Sequence, residues 1–133
     1  MSKEIGDKDY RTLAAFRLTL RRFLHFSETA AEAAGLSPQQ HQALLAVRAA
    51  PDATMLVGEL AEALLIRPHS ASGLVDRLER LGLISRISPG GDRRQVSVAL
   101  TPEGEAVLAS LSSAHRTELR RLRPLLEELV SKL

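Results

Sequence analysis

The sequence predicts a mainly α fold with one small β-hairpin, and three observations carry that prediction. Aromatic residues are only 3% of the chain and hydrophobic residues 44%, so the core is built from Leu, Ala and Val rather than from rings. Apolar residues recur at spacings of three and four over most of the chain. The period changes to two in one short stretch, around the Pro-Gly-Gly-Asp of "RISPGGDRRQVSVAL". With 133 residues there is room for one domain, 1–133.

The first helix is expected over about 9–34, where Leu13, Phe16, Leu20, Phe23 and Leu24 recur, with Gly35 as its stop. In "LSPQQHQALLAVRAAP" Ser37 caps, Pro38 fits the first helical position and Gln40 completes a capping box. That helix should run to about Ala49, before Pro51. "MLVGELAEALLI" gives a short third helix with Leu56, Leu60, Ala61 and Leu64 inward. The fourth begins through Pro68, carries the stripe Ala71, Leu74, Val75, Leu78 and Leu81, and ends at Gly82. Gly73 lies inside it, costs about 1 kcal/mol relative to Ala, and would let the helix lie close to a neighbour. The hairpin places Ile87 before its turn and Val96, Val98 and Leu100 after it. Thr101 and Pro102 then repeat the cap-and-proline start. Leu108, Leu111, His115, Leu119, Leu122, Leu126, Leu129 and Leu133 follow in one stripe, with a break or kink expected at Pro124.

Composition excludes several functions. There is no Cys, hence no disulfide framework and no thiol chemistry. The four His are too scattered for a metal site, and no cofactor is expected. No Gly-rich phosphate loop, nucleophile elbow or carboxylate pair points to an enzyme. The first residues have no long apolar stretch and no run reaches membrane-spanning length, so a cytoplasmic protein is expected. The net charge of +2 is a weak signal, but residues 63–100 hold six Arg (67, 77, 80, 86, 93, 94) against three acids (76, 79, 92).

The order helix, helix, helix, hairpin is a helix-turn-helix with a wing, over 37–101. Ser70 and Ser72 are small enough to approach a groove, and Arg67, His69 and Arg77 can donate to phosphates or base edges. Arg93 and Arg94 at the hairpin tip would sit beside a duplex, with Asp92 orienting one of them. The expected partner is therefore double-stranded DNA. A winged-helix module used only for protein contacts is the alternative. The Leu stripes at the two ends, 9–34 and 102–133, have little within one subunit to cover them, so a homodimer is expected. Its interface would comprise Leu13, Phe16, Leu20, Leu108, Leu111, Leu119, Leu122, Leu126 and Leu129.

"LAEALLIRPHSASGLVDRLERLGLISRISPGGDRRQVSVALTPEG", 60–104, resembles the winged-helix core of the MarR (multiple antibiotic resistance regulator) family. The resemblance rests on the Leu60–Ala61 pair, "LVDRLERLGLI", the Asp92-x-Arg94 motif and "LTPEG". It implies a dimeric transcription regulator, often a repressor, and in many members release by a small aromatic or lipophilic effector. It implies DNA contacts by His69, Ser70, Ser72 and Arg77, and a wing contact by Arg94. It also points to a ligand pocket near His41, to which Phe23, Phe26 and His115 could contribute, though plain packing is the expected role of each of these residues. The chain departs from the family pattern at Leu65, Arg67 and Gly73, where Gly, a Ser or Asp cap, and a larger residue are common.

Overall fold

The computed structural model describes residues 4–87 and 96–133. Its elements run α1 (Asp7–Ala33), α2 (Pro38–Ala49), a short 3-10 turn (Pro51–Ala53), β1 (Met55–Leu56), α3 (Val57–Leu64), α4 (Pro68–Arg80), β2 (Ile84–Ile87), β3 (Ser97–Leu100) and α5 (Pro102–Ser131).

Helix ends follow local chemistry. The Ser37 hydroxyl accepts from the Gln40 amide at 3.1 Å, and the Gln40 side chain accepts from the Ser37 amide at 2.9 Å. The Thr101 hydroxyl accepts from the Gly104 amide at 3.1 Å and donates to the Gly82 carbonyl at 2.6 Å. Gly35 (φ +82°) and Gly82 (φ +75°) take the left-handed conformation that terminates α1 and α4. Leu65 ends α3 with φ +56° and is 93% exposed, so the departure at this position places a leucine in a conformation suited to glycine.

The structure changes four expectations. A two-residue strand, β1, precedes α3, making a three-stranded antiparallel sheet in the order β1-β3-β2. Met55 and Leu56 pair with Val98 and Ser97, so Leu56 caps α3 rather than lying inside it. Two residues are too few to reveal a period of two. Leu81 is 53% exposed because α4 has already ended at Arg80. Pro124 does not break α5, which continues to Ser131. The proline is exposed, so water can serve the carbonyl it leaves without a donor, while Leu122 and Leu129 anchor the helix on either side.

The core gathers Leu44 and Val47 of α2, Leu60 of α3, Leu74, Val75 and Leu78 of α4, Ile84 of β2 and Val98 of β3, all essentially without solvent exposure. Leu108 and Leu111 of α5 close it from the C-terminal side. The core thereby fixes α4 by one face and leaves the other in solvent.

Candidate functional site

The face of α4 opposite its buried residues Ala71, Leu74, Val75 and Leu78 is the site. At 3.6 residues per turn its outermost row is His69, Gly73, Asp76 and Arg80. Ser72 and Glu79 flank the row on one side, Ser70 and Arg77 on the other. His69, Ser70, Ser72 and Arg77 are all exposed, so four residues expected to contact DNA share one surface. Arg67 is the N-cap residue, exposed, with no side-chain bond closing the helix start. The first amides of α4 therefore remain available to an anion.

Two acids also sit on this face, and Arg86, one of the six arginines in the charge count of 63–100, compensates them. Arg86, on β2, donates to the Asp76 carboxylate at 2.5 Å and to the Glu79 carboxylate at 2.7 Å. The hydrogen bond from Arg86 holds the Asp76 carboxyl below its ordinary range. The fork ties the first wing strand to α4 and compensates both negative charges. The spacing Asp76, Glu79, Arg86 was visible in the sequence, but only the turn at Gly82 brings the third residue back over the first two. Asp92, Arg93 and Arg94 lie outside the described residues.

A second feature lies between α1, α2 and α5. A pocket of about 850 Å³ is lined by Phe23, Ser27, His41, His115 and Leu119, with Arg116 and Arg120 beside them. His115 is fixed from both sides: its Nδ1 pairs with the Leu111 carbonyl at 2.7 Å and its Nε2 with the Ser27 hydroxyl at 2.8 Å. Phe23 and Phe26 present to its ring with centroids 5.8 and 5.3 Å away, and the His41 ring lies at 4.9 Å. Phe23, Phe26, His41 and His115 thus come together in one cluster, although Phe26 stands behind His115 rather than in the pocket lining.

His41 is 5% exposed, and its Nδ1 has no partner among the described residues. Burial, then the neighbouring His115, lowers its pKa below 6.5. The unfolded chain therefore binds a proton on His41 more readily than the folded one. Stability from this group is fully present above about pH 6.5 and is lost as pH falls through the lower folded value. His41→Phe is expected to flatten the acid side of a stability profile taken by urea denaturation between pH 5 and 7.5. An unchanged slope would show that His41 charges freely in the folded chain.

The interface leucines divide. Leu108, Leu111, Leu122 and Leu129 are buried within the subunit, whereas Leu13, Leu20 and Leu119 are each more than 40% exposed. Phe16 and Leu126 are half-buried. Among the described residues no helix is long and apolar enough to cross a membrane.

A model of the MarR family matches residues 34–95. The transcriptional repressor MdtR of Bacillus subtilis is 28% identical over 97 residues, which are 73% of this chain and 61% of that protein. Matches to the first three curated relatives cover 45%, 30% and 61% of their lengths, so the chain spans less than two thirds of each. The structure of RV1404 from Mycobacterium tuberculosis superposes with a TM-score of 0.77 at 22% identity, over 99% of this chain and 92% of that one. NadR in complex with 4-hydroxyphenylacetate superposes with a TM-score of 0.71 at 21% identity, over 99% and 94%. These superpositions establish a shared fold from end to end, and the match to the MarR family model lies on the segment that holds the α4 face.

Proposed function

We propose that this protein is a sequence-specific DNA-binding transcription regulator, a homodimeric repressor acting on an inverted repeat in the cytoplasm. The observation that carries the reading is the α4 face: exposed Arg67, His69, Ser70, Ser72 and Arg77, with the intervening acids already paired to Arg86. Such a face meets a polyanion without repulsion and offers donors to the groove floor. The reading also assigns DNA contacts to Arg93 and Arg94, with Asp92 orienting one of them. A protein-contact module would have no need for acids neutralised on this face.

The dimer reading assigns α1 and α5, with the segments 9–34 and 102–133, to subunit association. Leu13, Leu20 and Leu119 stay exposed and Phe16 and Leu126 half-buried after the subunit has buried Leu108, Leu111, Leu122 and Leu129, and the reading sets them against the second subunit. Leu20→Glu combined with Leu119→Glu is expected to yield a folded monomer, since both positions are exposed, and to lose most DNA affinity with the second subunit. Sedimentation equilibrium and duplex titration check this together. A monomeric parent protein, or a monomeric double variant that binds as well as the parent, would contradict it.

The pocket at Phe23, His41 and His115 is read as an effector site for a small aromatic or lipophilic molecule. Its apolar walls and few polar groups suit such a ligand, and NadR is a fold relative with an aromatic acid bound.

A further inference from the structure

Gly73 is out of place twice. It lies mid-helix, where glycine costs about 1 kcal/mol relative to alanine. It also lies in the outermost row of α4, where any side chain would project straight at a duplex. Yet this glycine is half-buried, and the Arg77 side chain, from one turn further on, lies over it. A Cβ at position 73 would stand 3.6 Å from Arg77 Nη1 and 3.9 Å from Nη2. Both terminal nitrogens are at ordinary contact distance from that Cβ, so the forked end of the guanidinium lies over the glycine, where a side chain longer than alanine's would meet it. Among the described residues no carboxylate bonds to it, since Asp76 and Glu79 are both held by Arg86.

We infer that Arg77 is a specificity-determining residue that reads a guanine base edge, with Gly73 as the slot that seats it. The inference rests on the DNA-binding reading above. An arginine extended from the flank of a helix reaches the phosphate rails. Seated in the central row, it faces the groove floor, and its planar fork matches the N7 and O6 acceptors of guanine. A lysine would supply the same charge without the fork. A larger residue at 73 would push the guanidinium aside and hold the helix off the bases.

The test first uses the wild-type chain to enrich duplexes from a random library. The enriched duplex, copies with single guanines replaced by 7-deazaguanine, and an unrelated duplex are then titrated with wild type, Arg77→Lys and Gly73→Leu. Both variants are expected to lose roughly ten- to a hundredfold on the enriched duplex and to keep wild-type affinity for the unrelated one. Both should also become indifferent to the deaza substitution at one guanine in each half-site, which weakens wild-type binding. Gly73→Leu should melt no lower than wild type, because leucine is the better helix former, which separates lost reading from lost folding. If both variants keep the wild-type preference, or if Arg77→Lys alone keeps it, the inference is overturned and Arg77 is a phosphate contact. If the wild-type chain enriches no sequence, the DNA-binding reading fails and takes this inference with it.

Discussion

Arg86→Ala is expected to weaken binding to the target duplex by on the order of a hundredfold while leaving the fold almost unchanged. Arg86 compensates two carboxylates on the face of α4 assigned to DNA, at 2.5 and 2.7 Å. Removing it leaves Asp76 and Glu79 as uncompensated negative charges opposite phosphates, and frees the first wing strand from the helix. Both carboxylates keep close to half their side-chain exposure, so water solvates them in the variant and the direct effect on stability stays below about 1 kcal/mol. The binding defect should shrink as salt rises, because screening acts on the new repulsion. Adding Asp76→Asn and Glu79→Gln to the variant should restore most of the affinity. A variant that binds like the parent at low salt would show that this face does not meet the duplex.

Gly104→Ala is expected to destabilise the fold by about 3 kcal/mol, at the upper end of what overpacking costs. A Cβ at 104 would collide with the main-chain carbonyl of Leu83, and backbone cannot step aside as a flexible side chain can. The same carbonyl accepts from the Thr101 amide at 3.0 Å, and the Thr101 hydroxyl bonds the Gly82 carbonyl. The start of α5 is therefore packed directly on the turn between α4 and β2. Gly104 has an ordinary helical φ, so the penalty comes from the close approach rather than from conformation. Thermal and urea unfolding measure it, and a variant as stable as the parent would mean that the α5 start can lift from the turn without loss.

How far the fold could be anticipated depended on how local its determinants were. Ser37 with Gln40, Thr101 with Pro102, Gly35 and Gly82 act within four residues, and each marks its helix end where the structure has it. β1 has only two residues and owes its existence to β3, some forty positions away, so no local pattern could announce it. Proline suggested a break at 124, but a helix anchored by Leu122 and Leu129 tolerates one lost hydrogen bond on its wet side.

The site was partly visible for the same reason. A stripe of period 3.6 separates the buried face of α4 from the exposed one, which is why His69, Ser70, Ser72 and Arg77 share a surface. The charge count included Arg86 without a role, because a count cannot tell a free cation from one folded back onto Asp76 and Glu79. The leucine stripe of α5 was ambiguous in a similar way: spacing alone does not distinguish Leu108 and Leu111, which fill the subunit's core, from Leu119, which stays in solvent. Gly73 reads in the sequence as room for a close neighbour, and the group that lies over it is the Arg77 guanidinium of its own helix.

Enrichment of random duplex DNA by the purified chain, followed by a change of spacing in the enriched site, tests the central claim most directly. A two-fold dimer presenting α4 from each subunit should select an inverted repeat with half-site centres about 10 base pairs apart. Inserting five base pairs between the halves should then abolish specific binding, because the two halves would face opposite sides of the duplex. Enrichment of no sequence, or an enriched site whose binding survives the insertion unchanged, would contradict the account.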